Sequence, residues 1–289
     1  MQATGNHISV KRKLIDSSFQ MEFPEKYDLY IFAGSEEFSC AVADKSTKTF
    51  IGLESWKIFD ANSTLPLLDI HETSTLLTPT NFNRVICCSG FRNATLVPNP
   101  LFEQGTAVEQ LYFANDKMEQ GQVLIDEMRQ LEAKNIFGVP GSYLREISGW
   151  FREVEFHHTS TALIEYIINA NKNRTDELII VNVHSTFMEI VVTKSRQLLL
   201  YNYFGFSSPE EFVYYILFVC EQLHLNPEHI QVQFSGDINS EDSAFHLTMK
   251  YIRNLSFVNR PEIFGYSQVL SELPSHLHFN LFSQVICGL

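Results

Sequence analysis

The feature of this sequence that most constrains its fold is a group of three short apolar segments separated by turns, which occurs twice. The segments span 29–32, 38–42 and 49–58 in the first half and 178–181, 187–192 and 197–201 in the second. Runs of this length between turns of Gly, Ser and charged residues are typical of antiparallel β-strands. The sequence therefore predicts two strand-rich units, each beginning with three consecutive strands.

Residue identities relate the two halves at a nearly constant spacing. The identical pairs at an offset of 149 (178 − 29) are Leu29/Leu178, Phe38/Phe187, Val42/Val191, Lys45/Lys194 and Ser46/Ser195. Further along, Val85–Asn93 resembles Gln231–Asn239 at an offset of 146 (236 − 90), and both segments contain Ser-Gly at the end of a strand. Self-similarity at a fixed spacing indicates an internal repeat. We therefore expect the two halves to be copies of one unit.

Helical and strand patterns fill the remainder of each half. The predicted helices are 107–115, 142–151, 161–169 and 209–223, and further strands are predicted at 122–128 and 135–139. Three strands, a helix, a strand, a helix and a strand is the order of a ribonuclease-H-like unit, and two such units make an actin-like chain. The predicted fold class is therefore α/β: a duplicated ribonuclease-H-like (actin-like ATPase) fold with mixed sheets and flanking helices. The predicted domains are an N-terminal tail (1–25), a first lobe (26–158) and a second lobe (159–289).

The charge balance argues against two classes of partner. The chain has 34 Asp and Glu against 21 Lys and Arg, a formal net charge of −13. Because nucleic acids and anionic membrane surfaces bind through Lys and Arg, neither is an expected partner. The one basic run, Lys11–Lys13, is interpreted as part of a solvated tail. The longest apolar run, 212–220, is too short to cross a membrane, which takes about 20 residues.

Cysteine usage predicts the compartment. The five cysteines form no CxxC pair and lie in apolar surroundings, which is typical of reduced, buried thiols. The N-terminus also lacks the apolar run and cleavage site of a signal peptide. Both observations predict a cytoplasmic protein.

Several local patterns occur in a fixed order along the chain: Thr95–Pro98, Leu101-Phe102, Asn135–Phe137, Val139-Pro140, Tyr201–Phe204, Tyr214-Tyr215, Ser235-Gly236, Leu273-Pro274, His276 and Cys287. Together they resemble an uncharacterised bacterial family, a domain of unknown function whose members have an actin-like ATPase fold. The resemblance covers most of the chain from about Ser18 onward. The order of these patterns, and no single one of them, is specific to the family. The same architecture occurs in pilus-assembly and cell-division proteins. The resemblance implies a fold and no particular activity.

The first hairpin of each half is where an actin-like ATPase holds its phosphates, with an Asp for a magnesium-bound water and a Gly for close approach. The first hairpin has Ala33 and Gly34, and the second has Asn182 where the Asp is needed and His184 where the Gly is needed. A histidine there obstructs a phosphate, and the acids after Ser35 repel one. The residues of this vestigial nucleotide cleft are predicted to be Gly34, Ser35, Asn182, His184, Ser185, Gly236 and Asp237.

Other catalytic constellations are absent from the sequence. There is no Gly-rich phosphate loop and no G-x-S-x-G nucleophile motif. The adjacent residues His157 and His158 point to opposite faces of a strand, and His276 and His278 have no nearby partner set, so no metal site is predicted. We therefore predict no catalytic residues and no cofactor, with ATP and magnesium unsupported.

These patterns leave three functional hypotheses. The first is a non-catalytic actin-like scaffold or adaptor that binds a protein partner of unknown identity. The alternative is a nucleotide-binding actin-like ATPase with an unusual cleft, using Ser35, Ser185 and Asp237. The third is a hydrolase or nuclease of the wider ribonuclease-H class, which needs several converging carboxylates where the first sheet offers Asp44 alone.

Overall fold

The computed structural model describes residues 7–59, 65–118 and 120–288, which form two compact units. Unit 1 contains the described residues up to Leu163, together with Pro261–Leu273 and the stretch from Asn280. Unit 2 contains Ile164–Arg260 and Pro274–Phe279. Two late segments of the chain therefore belong to the first unit, and the lobe boundary at 158/159 stays a prediction.

The secondary structure alternates strands with short helices. The strands are β1 Ile8–Ile15, β2 Tyr27–Ala33, β3 Glu37–Asp44, β4 Thr49–Ile58, β5 Arg84–Ser89, β6 Ala94–Pro98, β7 Gly121–Met128, β8 Ala133–Pro140, β9 Glu155–His158, β10 Glu177–Val183, β11 Phe187–Lys194, β12 Gln197–Gly205, β13 Gln231–Gly236, β14 Asn254–Phe257 and β15 Gly265–Tyr266. The helices are α1 Leu65–Thr73, α2 Ala107–Ala114, α3 Gly141–Trp150, α4 Thr159–Ala170, α5 Pro209–Gln222, α6 Ser243–Thr248, α7 Gln268–Ser271 and α8 Phe279–Phe282. Every strand and helix predicted from the sequence is present, with bounds shifted by a few residues.

The main sheet of unit 1 has the order β1-β4-β3-β2-β5-β9, with β15 also beside β4, and a separate sheet has the order β6-β8-β7. Strands β2, β3 and β4 are antiparallel, whereas β5 and β9 continue the sheet in parallel. Side chains of β2 alternate between two apolar cores: Leu29 and Ile31 lie in one and Tyr30 and Phe32 in the other. Both faces of the sheet are therefore covered, which explains the nearly continuous apolar runs of its strands.

The prediction of a tail over 1–25 is wrong for residues 8–15. Residues 8–15 form β1, which pairs antiparallel with β4, whereas residues 1–6 lie outside the described residues. The basic run is part of this strand, and Lys13 Nζ lies 2.9 Å from Oε1 of the fully buried Glu54. The strand was missed because only one of its faces is apolar and a triplet of charges interrupts that pattern.

The sheet of unit 2 repeats the strand order of unit 1. Its order is β12-β11-β10-β13-β14, which corresponds to β4-β3-β2-β5-β9. A register shift also recurs, between Val42 and Ala43 in β3 and between Val192 and Thr193 in β11, 150 positions apart (192 − 42). The predicted offset of 149 is therefore one residue short at this hairpin.

Helix α5 covers one face of this sheet. Its N-terminus is capped by Ser208, whose side chain accepts a hydrogen bond from the Glu211 N–H at 3.2 Å. Its buried side chains, which include Phe212 and Ile216, join β-strand residues such as Ile190 in the core of unit 2. The helix predicted at 209–223 is confirmed at Pro209–Gln222.

Two bulk properties follow from the fold. All five cysteines are free thiols, four of them buried and Cys287 partly buried. Within the described ranges, no helix combines the length and the apolar character needed to cross a membrane.

Candidate functional site

The first hairpin turn, between β2 and β3, is closed by its own backbone and by an aromatic ring. The Gly34 N–H donates to Glu37 O at 2.9 Å, and the Gly90 N–H donates to Ala33 O at 2.9 Å. The ring of Phe32 lies against both glycines: a Cβ added at Gly90 would come within 2.5 Å of Phe32 Cζ, and one at Gly34 within 3.2 Å of Cε1. The space beside the two glycines is therefore filled by Phe32.

The acids of this turn have cationic neighbours. Glu36 Oε1 lies 3.6 Å from Arg92 Nη2, and Glu37 Oε2 lies 4.0 Å from Lys11 Nζ. Ser35, the predicted site residue beside them, is half-buried at the tip of the turn. The repulsion expected from the two acids is thus reduced by basic side chains from outside the hairpin.

The second hairpin turn, between β10 and β11, holds a buried polar cluster built on Glu189. Its members are Asn182, His184, Glu189, Tyr201 and Ser235, which we call the Glu189 cluster. Oε2 of Glu189 accepts from Asn182 Nδ2 at 2.7 Å and from His184 Nε2 at 2.9 Å, and Oε1 accepts from the Tyr201 hydroxyl at 2.7 Å. The Ser235 hydroxyl donates to Asn182 Oδ1 at 2.9 Å. Both ends of the Asn182 amide are therefore bonded within the protein.

His184 occupies the position that Gly34 has in the first hairpin. Its N–H donates to Phe187 O at 2.9 Å, as the Gly34 N–H does to Glu37 O, and the positions differ by 150 (184 − 34). The imidazole stacks on the Phe187 ring, with centroids 4.1 Å apart and planes at 7°. The position of Gly34 in the first hairpin is thus occupied in the second by an imidazole that is hydrogen-bonded at its edge to Glu189 and stacked on its face against Phe187.

The Glu189 carboxylate is buried, with 3% of its surface exposed. Burial raises the pKa of Glu189, but the hydrogen bonds from His184, Tyr201 and Asn182 outweigh burial and hold the pKa below its ordinary value. Glu189 is therefore an ionised carboxylate inside the hairpin.

The lowered pKa of Glu189 predicts an acid-sensitive cluster. A group whose pKa is depressed by folding stabilises the protein above its unfolded pKa, ordinarily 4.5, and this contribution is lost as the pH falls through the folded value. We expect the difference in unfolding free energy between the wild type and Glu189→Gln to shrink as the pH falls below about 5. Urea unfolding of both proteins at a series of pH values checks it. A difference that stays constant down to about pH 3 would contradict the assignment.

Gly236 closes the end of β13 against the same hairpin. Its φ is +84°, and a Cβ placed there would lie 2.2 Å from Val183 O. Its N–H donates to His276 O, and the following N–H of Asp237 donates to Val183 O at 2.8 Å. The side chains of Ser185 and Asp237 are exposed. Only a glycine fits this position, because the backbone is left-handed and the neighbouring strand is in contact.

The structure brings some predicted site residues together and adds others. Asn182 and His184 share one cluster, and Gly236 lies beside it. The predicted offset of 146 matched Gly236 with Gly90, but strand pairing places Ser89 and Gly236 in equivalent positions, at 147 (236 − 89). Glu189, Tyr201, Ser235 and Phe32 were missed. Glu189 left a signal as the single acid in the apolar run 187–192, whereas Tyr201 and Ser235 appeared only among the residues of the family resemblance.

The histidines proposed as structural have protein partners. His157 Nδ1 lies 2.9 Å from Asp126 Oδ1, and His158 Nε2 lies 2.8 Å from Phe91 O. His276 Nε2 donates to Ile238 O at 2.7 Å, and burial lowers its pKa. In the part of the chain that the structure describes, no three His, Cys, Asp or Glu side chains are placed to hold a metal ion.

The sheets of the two units share one strand order. Each sheet begins with an antiparallel hairpin and continues into parallel strands. This arrangement defines a protein with the actin-like ATPase fold. A Bacteroides thetaiotaomicron protein with this fold and unknown function is similar, with a TM-score of 0.74 and 23% identity over 84% of this chain and 94% of that one. The PilM-PilN type IV pilus biogenesis complex is similar with a TM-score of 0.58 and 11% identity over 92% and 99%.

This chain belongs to the family described as Protein of unknown function (DUF3822), whose model matches residues 16–255. A comparison with curated protein sequences finds no match. The predicted fold and the predicted family resemblance are both confirmed.

Proposed function

We propose that this protein is a non-catalytic actin-like scaffold or adaptor that binds a protein partner. The observation that carries the proposal is that both hairpin turns, the phosphate-binding elements of an actin-like ATPase, are filled by the protein's own side chains. The proposal also takes the two units to be duplicated copies, which their shared strand order and recurring register shift support.

In unit 1, the turn lacks both parts of a phosphate site. Phe32 occupies the position equivalent to Asn182, where a carboxylate is needed to hold a magnesium-bound water. Its ring covers Gly34 and Gly90, and the Gly34 N–H is already bonded to Glu37 O. A phosphate at this turn would have to displace an aromatic ring that is 96% buried (4% exposed) and break a backbone hydrogen bond.

In unit 2, the turn is filled by a charged network. The His184 ring stands at the glycine position, and the ionised Glu189 behind it repels a phosphate. The Asn182 amide, which replaces the acid, is bonded on both sides, to Glu189 and Ser235. Binding a nucleotide here would leave buried polar groups without partners, which costs about 1–3 kcal/mol for each group.

A protein partner is the best remaining ligand class. The net charge of −13 disfavours nucleic acid, and the five free thiols suit a reducing compartment such as the cytoplasm. A structural relative at TM-score 0.58 was solved as the PilM-PilN type IV pilus biogenesis complex, so this architecture is compatible with a role in a protein assembly.

The alternative, a nucleotide-binding protein with an unusual cleft, is favoured by one observation. Ser185 and Asp237, two of the three residues that it requires, have exposed side chains. A thermal-unfolding series with ATP, GTP and magnesium separates the two proposals. A ligand at 100 times its dissociation constant adds about 2.7 kcal/mol to the folded state. The adaptor proposal predicts an unchanged melting temperature, and a clear rise with either nucleotide would contradict it.

A further inference from the structure

Two of the five cysteines are in contact with each other on one face of the main sheet of unit 1. Cys88 is a fully buried residue of β5, and Cys287 belongs to a 3-10 helix, Ser283–Gly288, that lies against β5. Cys88 is part of the apolar core that contains Tyr30 and Phe32, and Cys287 packs against this core. The Cys88 thiol donates a hydrogen bond to the Cys287 sulfur. Two thiols that are far apart in the sequence are therefore neighbours in the folded chain.

The adjacent residue Cys87 points to the opposite face of the sheet, because successive side chains of a strand alternate between its faces. Cys87 lies in the other apolar core of unit 1, together with Leu29 and Ile31. Burial raises the pKa of its thiol. The alternation of β5 therefore brings Cys88, and not Cys87, to Cys287.

The surroundings of Cys287 make it the more reactive thiol of the pair. The hydrogen bond from Cys88 lowers the pKa of Cys287 against the effect of burial, and the nearby His157 imidazole lowers it further. Burial opposes protonation of His157, but its contact with Asp126, 2.9 Å from Nδ1 to Oδ1, outweighs burial and raises the pKa of His157. Burial raises the pKa of Cys88. Because the thiolate is the nucleophile and Cys287 is only partly buried, Cys287 is the thiol that reacts first with a dissolved oxidant.

We propose that Cys88 and Cys287 are a redox modification site, at which a hydroperoxide converts the two thiols into a reversible disulfide. The Cys287 thiolate attacks one oxygen of hydrogen peroxide, the O–O bond breaks, and hydroxide leaves as Cys287 becomes a sulfenic acid. The Cys88 sulfur then attacks the Cys287 sulfur, the S–O bond breaks, and the oxygen leaves as water with the Cys88 proton. The two sulfurs lose two electrons in total, and the peroxide gains them.

The disulfide would join the 3-10 helix Ser283–Gly288 covalently to β5, the central parallel strand beside β2. In a reducing compartment, disulfides are usually transient and serve catalysis or redox sensing, so a pair that closes with peroxide and opens with a thiol reductant fits five free thiols. This inference goes beyond the adaptor proposal and does not rest on it.

Disulfide mapping of the full-length chain tests the pair. The reduced protein is treated with hydrogen peroxide in slight molar excess, alkylated at its remaining thiols and digested without reduction, and fragment spectra show which of Cys87 and Cys88 is alkylated. We expect the Cys88–Cys287 link in at least about tenfold excess over any Cys87–Cys287 link, because a disulfide needs its two Cβ atoms to face each other. A thiol reductant is expected to remove the link. In concentrated urea, where the strand no longer orients the two adjacent cysteines, both links are expected in comparable amounts.

Removing each of the two adjacent thiols in turn gives a matched comparison. Cys88→Ala is expected to abolish the disulfide and to leave the sulfenic acid of Cys287 available for trapping by dimedone. Cys87→Ala, the same change one residue earlier, is expected to form the disulfide to the same extent as the wild type. Circular dichroism of each variant separates loss of the reaction from loss of folding.

Three results would overturn the proposal. A folded wild-type chain in which peroxide produces no Cys88–Cys287 link has no such site. A Cys87–Cys287 link formed in equal or larger amount would show that the contact between Cys88 and Cys287 does not direct the reaction. A folded Cys88→Ala variant with no dimedone adduct at Cys287 would contradict the order of the two steps. The wild-type map needs no substitution, so the first two results can be obtained whether or not the variants fold.

Discussion

Replacing Glu189 by alanine is expected to destabilise the protein by about 3–5 kcal/mol. The substitution removes the acceptor for Asn182 Nδ2, His184 Nε2 and the Tyr201 hydroxyl, all of which bond the carboxylate at 2.9 Å or less. Each buried donor that is left without an acceptor lowers the unfolding free energy by the full cost of its desolvation. Urea unfolding followed by circular dichroism measures the change in unfolding free energy.

The control for this prediction is an acid of the same sheet that is paired at the surface. Glu177 Oε1 lies 2.8 Å from Lys194 Nζ, and both side chains are substantially exposed. Glu177→Ala is expected to cost about 1 kcal/mol or less. Equal effects of Glu177→Ala and Glu189→Ala would show that the cluster around Glu189 is not the stabilising network described above.

Replacing Gly236 by alanine is expected to cost roughly 3 kcal/mol or more, since two penalties add. An alanine at φ +84° is strained, and its Cβ would lie 2.2 Å from the backbone oxygen of Val183, which cannot rotate away. The parallel pairing of β10 and β13 must open to relieve the contact. The same unfolding experiment measures the loss.

Gly105→Ala is the matched control for Gly236→Ala. No heavy atom lies within 4 Å of a Cβ placed at Gly105. We expect this variant to stay within about 0.5 kcal/mol of the wild type. If Gly236→Ala is as stable as Gly105→Ala, the close approach of β13 to the second hairpin is not as described.

The predicted fold followed from local signals that tertiary structure did not override. Turns such as Gly34–Glu37 separate apolar runs of strand length, and Pro209 with its capping serine marks the start of α5. Strand β1 was missed because an edge strand buries one face and leaves a weak pattern. The offset of 149 was one residue short of the 150 given by the recurring register shift, because a few identical residues in a short window can match by chance.

The residues that fill the hairpins could be predicted only in part. The sequence shows that Asn182 replaces the phosphate-site Asp and that His184 replaces the Gly. Both substitutions predict that the second hairpin does not bind a phosphate. The contacts of Glu189 depend on which residues oppose it across β10 and β12, and this follows from strand register. Phe32 is typical of any apolar strand, so its position over two glycines needs the three-dimensional structure.

Equilibrium dialysis of the purified chain against labelled ATP with magnesium tests the central claim most directly. If the two hairpins are filled as described, ATP will reach the same concentration on both sides of the membrane up to about 1 mM, a range that detects even a binding free energy near −4 kcal/mol. A saturable excess of ATP on the protein side, removed by unlabelled ATP, would contradict the account.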